Sequence, residues 1–134
     1  MTYQITTKAQ NSQTRTHSVE SRLAQYGATV DARLKPDFDA AKISYPPTSL
    51  AFIVIKDQRI LQLYAANKDN RYVFIRSYPI LAASGKLGPK LREGDLQVPE
   101  GIYKVQLLNP NSSYHLSLRV NYPNAVSYTH LTLP

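Results

Sequence analysis

Residues 50–83, LAFIVIKDQRILQLYAANKDNRYVFIRSYPILAA, decide the fold class of this 134-residue chain. The stretch holds three apolar runs rich in β-branched and aromatic residues, at 50–56, 60–65 and 72–78. Polar residues typical of tight turns separate these runs, at 57–59 and 68–70. The pattern predicts three consecutive antiparallel strands. Because the first run is apolar up to its last residue, we expect that strand to be buried on both faces.

Two further strands are predicted closer to the C-terminus. Residues 102–107, IYKVQL, and 115–121, HLSLRVN, alternate apolar and polar side chains, as strands with one buried face do. The segment between them, 109–113, reads NPNSS and has the composition of a turn. A second antiparallel pair is therefore expected.

A long segment without alternation connects the two groups of strands. Residues 84–100, SGKLGPKLREGDLQVPE, are charged and interrupted by glycine. Loops of this length are uncommon in compact domains and are often functional. The alternative is a surface loop or a disordered segment with no function of its own.

Two short helices are predicted before the strands. Ser18 is suited to cap a helix over 19–26, and Gly27 to stop it. A second helix is predicted over 36–42, because Pro36 suits the first helical position. We therefore expect a mainly β (α+β) fold, in which two short N-terminal helices precede the antiparallel strands.

Composition limits the classes of function. The net charge of +7 favours anionic partners such as nucleic acid, phosphate-rich polymers or a carboxylate-rich cell wall. The cations form no basic run and no nucleic-acid motif, so we expect no nucleic-acid partner. No apolar run is long enough to span a membrane, and the first 13 residues show no secretory signal. The chain has no cysteine, which excludes a disulfide framework, a thiolate zinc site and a cysteine nucleophile within it. We expect neither a cofactor nor a metal ion.

Four motifs occur in an order that is more specific than any one of them alone. They are YPP at 45–47, SGKLGPKLREGD at 84–95, VPEGIY at 98–103 and LNPNSSYHLSLRVNYPN at 108–124. In this order the motifs resemble the murein L,D-transpeptidase family, of the YkuD type. The resemblance covers about 19–124 of the chain.

The resemblance implies a small antiparallel β-sandwich, here incomplete, whose cleft accepts peptidoglycan stem peptides. In this family a cysteine thiolate attacks the carbonyl of the third stem residue, releases the terminal D-alanine, and passes the acyl group to the amine of a second stem. Some relatives hydrolyse wall peptides, and some attach or release an outer-membrane lipoprotein. A periplasmic or cell-envelope location is implied, and the alternative is a non-catalytic basic β-domain that binds an anionic polymer.

The catalytic histidine and cysteine of the family lie downstream of the motif that ends at Asn124. We therefore expect this chain to be truncated before that motif and to be inactive. His115 belongs to a strand of the resemblance and not to the catalytic pair. The resemblance leaves seven candidate substrate-binding residues: Lys86, Lys90, Arg92, Glu93, Asp95, His115 and Arg119.

These candidates have less specific alternatives. Lys86, Lys90 and Arg92 are suited to stem-peptide carboxylates, and a solvated basic loop is the alternative. Glu93 and Asp95 are expected to pair with those cations rather than to act as acids. Tyr103 and Tyr122, within the motifs, are predicted to be packing residues.

The last nine residues differ from the rest of the chain. Residues 126–134, VSYTHLTLP, match one translated frame of a transposon mosaic-end sequencing adapter, and we expect them not to be native. A natural strand is the alternative. The predicted organisation is a flexible polar tail at 1–16, a short helical segment at 17–46, the N-terminal part of a catalytic domain at 47–125, and the non-native end at 126–134.

Overall fold

The computed structural model describes residues 16–113 and 115–125, and His115 by its backbone alone. The predicted end at 126–134 and all but the last residue of the predicted tail at 1–16 lie outside these ranges. The described part is mainly β, with antiparallel sheets and one helix. In chain order the elements are α1 Val19–Ala40, β1 Leu50–Ile55, β2 Ile60–Ala66, β3 Tyr72–Pro79, β4 Val105–Ser112 and β5 His115–Val120.

The prediction of two short helices is wrong, because α1 runs without a break over 22 residues. Ser18 does cap it, in a reciprocal box with Ser21: each side-chain oxygen accepts a hydrogen bond from the other residue's backbone N–H, at 3.1 and 3.0 Å. Gly27 and Pro36 both lie inside the helix. An internal glycine costs about 0.5–1 kcal/mol and an internal proline about 3 kcal/mol.

Contacts at both ends of α1 offset these local costs. Near the N-terminus, Arg22 is buried and its Nε donates to the Pro110 carbonyl of β4 at 2.9 Å. Near the C-terminus, Phe38 is 1% exposed, and Asp37 pairs with Arg76 of β3 at 3.1 Å. These partners are distant in sequence, so a local pattern does not reveal them.

The first three strands form one antiparallel sheet in the order β1-β2-β3, as predicted. Its core lies under the C-terminal part of α1 and consists of Phe38, Ile43, Leu63, Ala65 and Ile75. The expectation that β1 is buried on both faces is wrong for the described chain. β1 is an edge strand, and Phe52, Ile53 and Val54 are 41–49% exposed, because α1 packs over β2 and β3.

The last two strands pair as a separate antiparallel hairpin. The turn predicted at 109–113 is shorter than expected, since β4 continues to Ser112 and pairs irregularly with β5. The hairpin is tied to the start of α1 through Asn111. Its side-chain oxygen accepts from the His17 backbone N–H at 2.6 Å, and its side-chain nitrogen donates to the His17 carbonyl at 2.8 Å.

Candidate functional site

Lys56, the residue after β1, holds the loop at 84–101 through three contacts of its ammonium group. Its ammonium donates to the carbonyls of Gly88 at 2.6 Å and Val98 at 2.9 Å, and it pairs with the Glu100 carboxylate at 3.0 Å. An ammonium has three N–H donors, so these contacts use all of them. The side chain is only 15% exposed. Two distant points of the loop are thereby held to the end of one strand.

Asp95 organises the middle of the same loop. Its carboxylate accepts hydrogen bonds from the Lys90 ammonium and from the backbone N–H groups of Leu91, Arg92 and Gln97, the last three at 2.9–3.1 Å. The hydrogen bond from Lys90, followed by those from the backbone amides, holds the pKa of Asp95 well below its usual range. Asp95 is therefore ionised at neutral pH and serves as an internal anchor.

Gln97 closes the loop on itself. Its side-chain oxygen accepts from the Lys86 N–H at 2.6 Å, and its side-chain nitrogen donates to the carbonyls of Lys86 and Gly88, the latter at 2.7 Å. Gly85 lies against this side chain with φ +78°, and a Cβ there would come within 2.8 Å of the Gln97 Cα. These hydrogen bonds join residues 86 and 88 to residue 97. They favour an ordered loop over the disordered segment that the composition also allowed.

The last residues of the motif that ends at Asn124, 121–124, lie beside residues 102–104. Asn121 and Lys104 exchange two hydrogen bonds, from the Asn121 N–H to the Lys104 carbonyl at 2.9 Å and from the Lys104 N–H to the Asn121 side chain at 2.7 Å. The rings of Tyr103 and Tyr122 meet edge to face, with centroids 5.8 Å apart. Two of the motifs that carry the resemblance are therefore in direct contact.

A pocket of about 330 Å³ opens where this contact meets the loop. Its lining comes from three of the four motifs: Pro89, Lys90, Pro99, Glu100, Gly101, Tyr103 and Tyr122. Tyr103 donates its hydroxyl to the Glu100 carbonyl at 3.0 Å. Gly101 has φ +149°, and a Cβ there would lie 2.8 Å from the Tyr103 hydroxyl oxygen, so the pocket depends on glycine at this position.

The structure places the seven predicted site residues unevenly. Asp95 anchors the inside of the loop and does not line the pocket. Lys90 lines the pocket, but its side chain is 12% exposed and is paired with Asp95. Lys86, Arg92 and Glu93 are exposed on the loop and outside the lining. Arg119 is exposed on β5, and the side chain of His115 lies outside the described residues. Their roles in substrate binding stay predictions.

Eight residues of the site were not predicted as functional. Six line the pocket, Pro89, Pro99, Glu100, Gly101, Tyr103 and Tyr122, and two hold the loop, Lys56 and Gln97. The sequence predicts Tyr103 and Tyr122 to be packing residues, and the structure places both in the lining of the pocket as well as in contact with each other. Lys56 and Gln97 belong to no pattern typical of a site, because their roles depend on carbonyls and amides brought close by the fold. Only the position of Lys56 directly after an apolar strand could have drawn attention to it.

A second cavity of about 490 Å³ lies elsewhere, between the end of α1 and the turn after β2. Lys42, Lys68 and Asn70 are among its lining residues. The four motifs contribute one residue to this lining, Pro47 of YPP. Within 16–113 and 115–125, no group of three or more His, Asp or Glu side chains could hold a metal ion. In the same ranges, no helix has the length and apolarity needed to cross a membrane.

The sequence is similar to curated proteins over 79 residues, which are 58% of this chain. Over that segment it is 40% identical to the protein named "Putative L,D-transpeptidase YafK" of Escherichia coli (strain K12) and equally to its namesake in Escherichia coli O157:H7. The segment is 32% of each relative, so the chain spans about a third of the length of the curated relatives it matches. No protein-family model matches the chain, and no solved structure matches it at a significant level. The resemblance that the motifs predicted is thus confirmed as a relationship to the L,D-transpeptidase family over the matched part of the chain.

Proposed function

We propose that this chain is part of a peptidoglycan L,D-transpeptidase, and that the loop at 84–101, with 102–104 and 121–124, forms one wall of the stem-peptide cleft. One observation carries the proposal: three motifs that are separated in sequence line a single pocket. A structural role for the motifs would require them to pack, but not to leave a cavity between them. The similarity to a protein named as an L,D-transpeptidase supports the same reading.

The proposed chemistry is acyl transfer through a cysteine. The thiolate attacks the carbonyl of the third stem residue, the bond to D-alanine breaks, and the D-alanine amine takes a proton as it leaves. An amine of a second stem then attacks the thioester, gives up a proton and releases the thiolate. This chain has no cysteine, so its own part is to hold the donor stem against a wall fixed by Lys56, Asp95 and Gln97. A wall that is already ordered adds little ordering cost on binding.

The fold proposed for the whole enzyme is an antiparallel β-sandwich, of which the described strands are a part. The apolar side chains of the β4–β5 hairpin are 39–52% exposed, which suits a hairpin whose face another layer covers. They are Val105, Leu107, Leu108, Leu116, Leu118 and Val120. The location proposed with this function is the periplasm or the cell envelope.

Two other functions remain as alternatives. The first is a hydrolase of the same family, which would pass the acyl group to water. Within the transpeptidase function, a lipoprotein could replace the second stem as partner. A non-catalytic basic domain would bind an anionic polymer. The pocket does not favour that last alternative, because both lysines beside it are paired with carboxylates, Lys56 with Glu100 and Lys90 with Asp95.

The test is to recover an uninterrupted reading frame around this sequence and to assay the encoded protein on tetrapeptide muropeptides. Cross-linked dimers together with released D-alanine are expected. Released tripeptides without dimers would assign the hydrolase. A protein with no cysteine and no product that still binds anionic glycans would contradict the proposal and favour the binding domain.

A further inference from the structure

The second cavity, between the end of α1 and the turn after β2, has an apolar side and a polar side. Its volume of about 490 Å³ lies in the range of small-molecule sites. Its buried lining residues are apolar, namely Ile43 and Ala66, each 6% exposed. Its exposed lining residues are polar or charged: Lys42, Ser44, Thr48, Lys68, Asp69 and Asn70. A ligand that enters from solvent therefore meets polar groups first.

The two lysines of this lining carry charges that no carboxylate side chain neutralises. Within 16–113 and 115–125, the four ion pairs use other cations: Lys35, Lys56, Arg76 and Lys90. All nine Asp and Glu residues of the sequence lie in those ranges. Against the two lysines the described lining has a single carboxylate, Asp69. The lining therefore has an excess of positive charge that is free to attract an anion.

Lys42 has a backbone conformation that favours a different residue type. It follows the helix cap at Ala41 and has φ +58°. This position after a helix is usually glycine and sometimes asparagine, because other L-residues are strained in the left-handed region. The conformation therefore does not explain a lysine, and what the lysine adds is a positive charge beside the cavity.

Neutral donors lie beside the two lysines. The side-chain oxygen of Asn67 accepts from the N–H groups of Asp69 at 3.0 Å and Arg71 at 2.9 Å, which leaves its side-chain nitrogen as a donor. Among the described residues, the hydroxyls of Ser44 and Thr48 have no hydrogen-bond partner. The lining thus offers amide and hydroxyl donors in addition to two ammonium groups.

The C-terminal end of α1 opposes an anion less than an open helix end would. Carbonyl groups at such an end carry partial negative charge. Here the N–H groups of residues 41–43 donate to three carbonyls of the last turn, at 3.0–3.1 Å. These hydrogen bonds occupy carbonyls that would otherwise repel an anion at the cavity.

A phosphate group uses this lining more fully than a carboxylate. It has three or more acceptor oxygens and about two negative charges near neutral pH, whereas a carboxylate has two oxygens and one charge. We infer that the second cavity binds a doubly charged phosphate group, free or as a monoester. Lys42 and Lys68 are its cationic partners, and Ser44, Thr48 and Asn67 are its neutral donors. This site lies apart from the proposed cleft wall, so the inference does not depend on the proposed function.

Four small anions test the site: inorganic phosphate, glycerol 1-phosphate, dimethyl phosphate and acetate. Each is titrated at constant ionic strength and about pH 7.5, where the first two are mostly dianions. The 134-residue chain is used at a concentration where sedimentation shows a monomer, and backbone amide shifts report binding. We expect saturable shifts at 42–48 and 66–70 with the two dianions, and about tenfold weaker binding of the two monoanions. Tighter binding of glycerol 1-phosphate than of phosphate assigns the site to monoesters, and equal or weaker binding assigns it to free phosphate.

Four variants locate the binding. Lys42→Asn and Lys68→Gln should each weaken phosphate binding about tenfold, and Asp69→Asn should strengthen it. Arg33→Gln, which removes an exposed charge of α1 outside the lining, should leave it unchanged. Lys42→Asn should melt no lower than the parent chain, because asparagine suits the left-handed backbone, so its lost binding would not reflect lost structure.

Three results would overturn the site. The first is phosphate affinity that neither lysine variant lowers. The second is amide shifts that spread over exposed cations elsewhere in the chain instead of saturating at 42–48 and 66–70. The third is acetate that binds as tightly as phosphate, since the lining would then not distinguish two charges from one.

Discussion

At the scale of single residues, the site depends on a few side chains that hold backbone groups in place. Lys56 donates to two loop carbonyls and pairs with Glu100, although Gly88 and Glu100 lie 32 and 44 residues away in sequence. The sequence predicts that the loop cations Lys86, Lys90 and Arg92 meet the substrate, and that role stays a prediction. Lys56, a cation outside the loop whose side chain is 15% exposed, also holds the loop in place.

We expect Lys56→Met to lower the free energy of unfolding by about 1–3 kcal/mol, because the Gly88 and Val98 carbonyls and Glu100 lose a shared donor. Urea denaturation measures the change, and hydrogen exchange at 86–98 should speed up with it. Lys86→Met is the matched control, since the Lys86 side chain is exposed and is expected to matter by less than about 0.5 kcal/mol. Equal stability of the two variants would refute the role given to Lys56.

Gly101→Ala should disturb the pocket itself. The added Cβ would lie 2.8 Å from the Tyr103 hydroxyl oxygen and 3.1 Å from its Cζ, so the tyrosine must move. We expect a loss of about 1–3 kcal/mol in stability and a weaker affinity for stem tetrapeptide. Gly88→Ala is the control, because Gly88 also has a positive φ, of +103°, yet nothing lies within 4 Å of its Cβ position. Tetrapeptide affinity that falls equally in both variants would attribute the effect to backbone strain alone.

At the scale of elements, β1, β2, β3, β5 and the start of α1 could be predicted from the sequence. The end of α1 could not, and β4 lies three to five residues beyond its predicted bounds of 102–107. Alternation and β-branched runs are local signals, and β1, β2 and β3 lie within a residue or two of their expected places. The extent of α1 depends instead on Arg22 meeting Pro110 and on Phe38 entering the core, which are long-range contacts. From local sequence alone, Gly27 and Pro36 predict breaks in the helix. The long-range contacts that keep the helix continuous cannot be seen in that local sequence.

Gly27→Ala tests whether α1 is continuous. In an uninterrupted helix, alanine should stabilise the chain by about 0.5–1 kcal/mol, because it loses less conformational entropy on folding and meets no atom within 4 Å. The reverse change at a neighbouring position, Ala28→Gly, should destabilise it by a similar amount. Thermal or urea unfolding measures both. A helix that stops at Gly27 would make Gly27→Ala neutral or harmful, and that result would contradict the structure.

At the scale of the whole chain, the described residues form a pocket, and the sequence contains no cysteine. The order of the motifs was enough to predict the family, whereas the pocket could not be derived, because Tyr103 and Tyr122 meet only when β4 and β5 pair. The hairpin thus converts two sequence motifs into one surface. Of the seven charged or histidine residues predicted as the site, only Lys90 lines the pocket that the fold builds.

The 134-residue chain should release no D-alanine from tetrapeptide muropeptides. Without a cysteine thiolate, no acyl-enzyme forms, and binding energy in the pocket cannot lower the barrier of the first step. Chromatography of the reaction products measures the release against a buffer blank. Turnover above the blank that persists through repurification would show that the chemistry does not depend on a missing cysteine.

Photoaffinity labelling tests whether the three converging motifs form a stem-peptide wall. A stem tetrapeptide with a photoreactive group on its third residue is irradiated with the chain, and labelled residues are mapped by mass spectrometry. We expect labels within 89–103 and 121–124, and an excess of unlabelled tetrapeptide should remove them. Labels at the second cavity, around Lys42 and Asn70, or labels spread evenly over the surface, would contradict it.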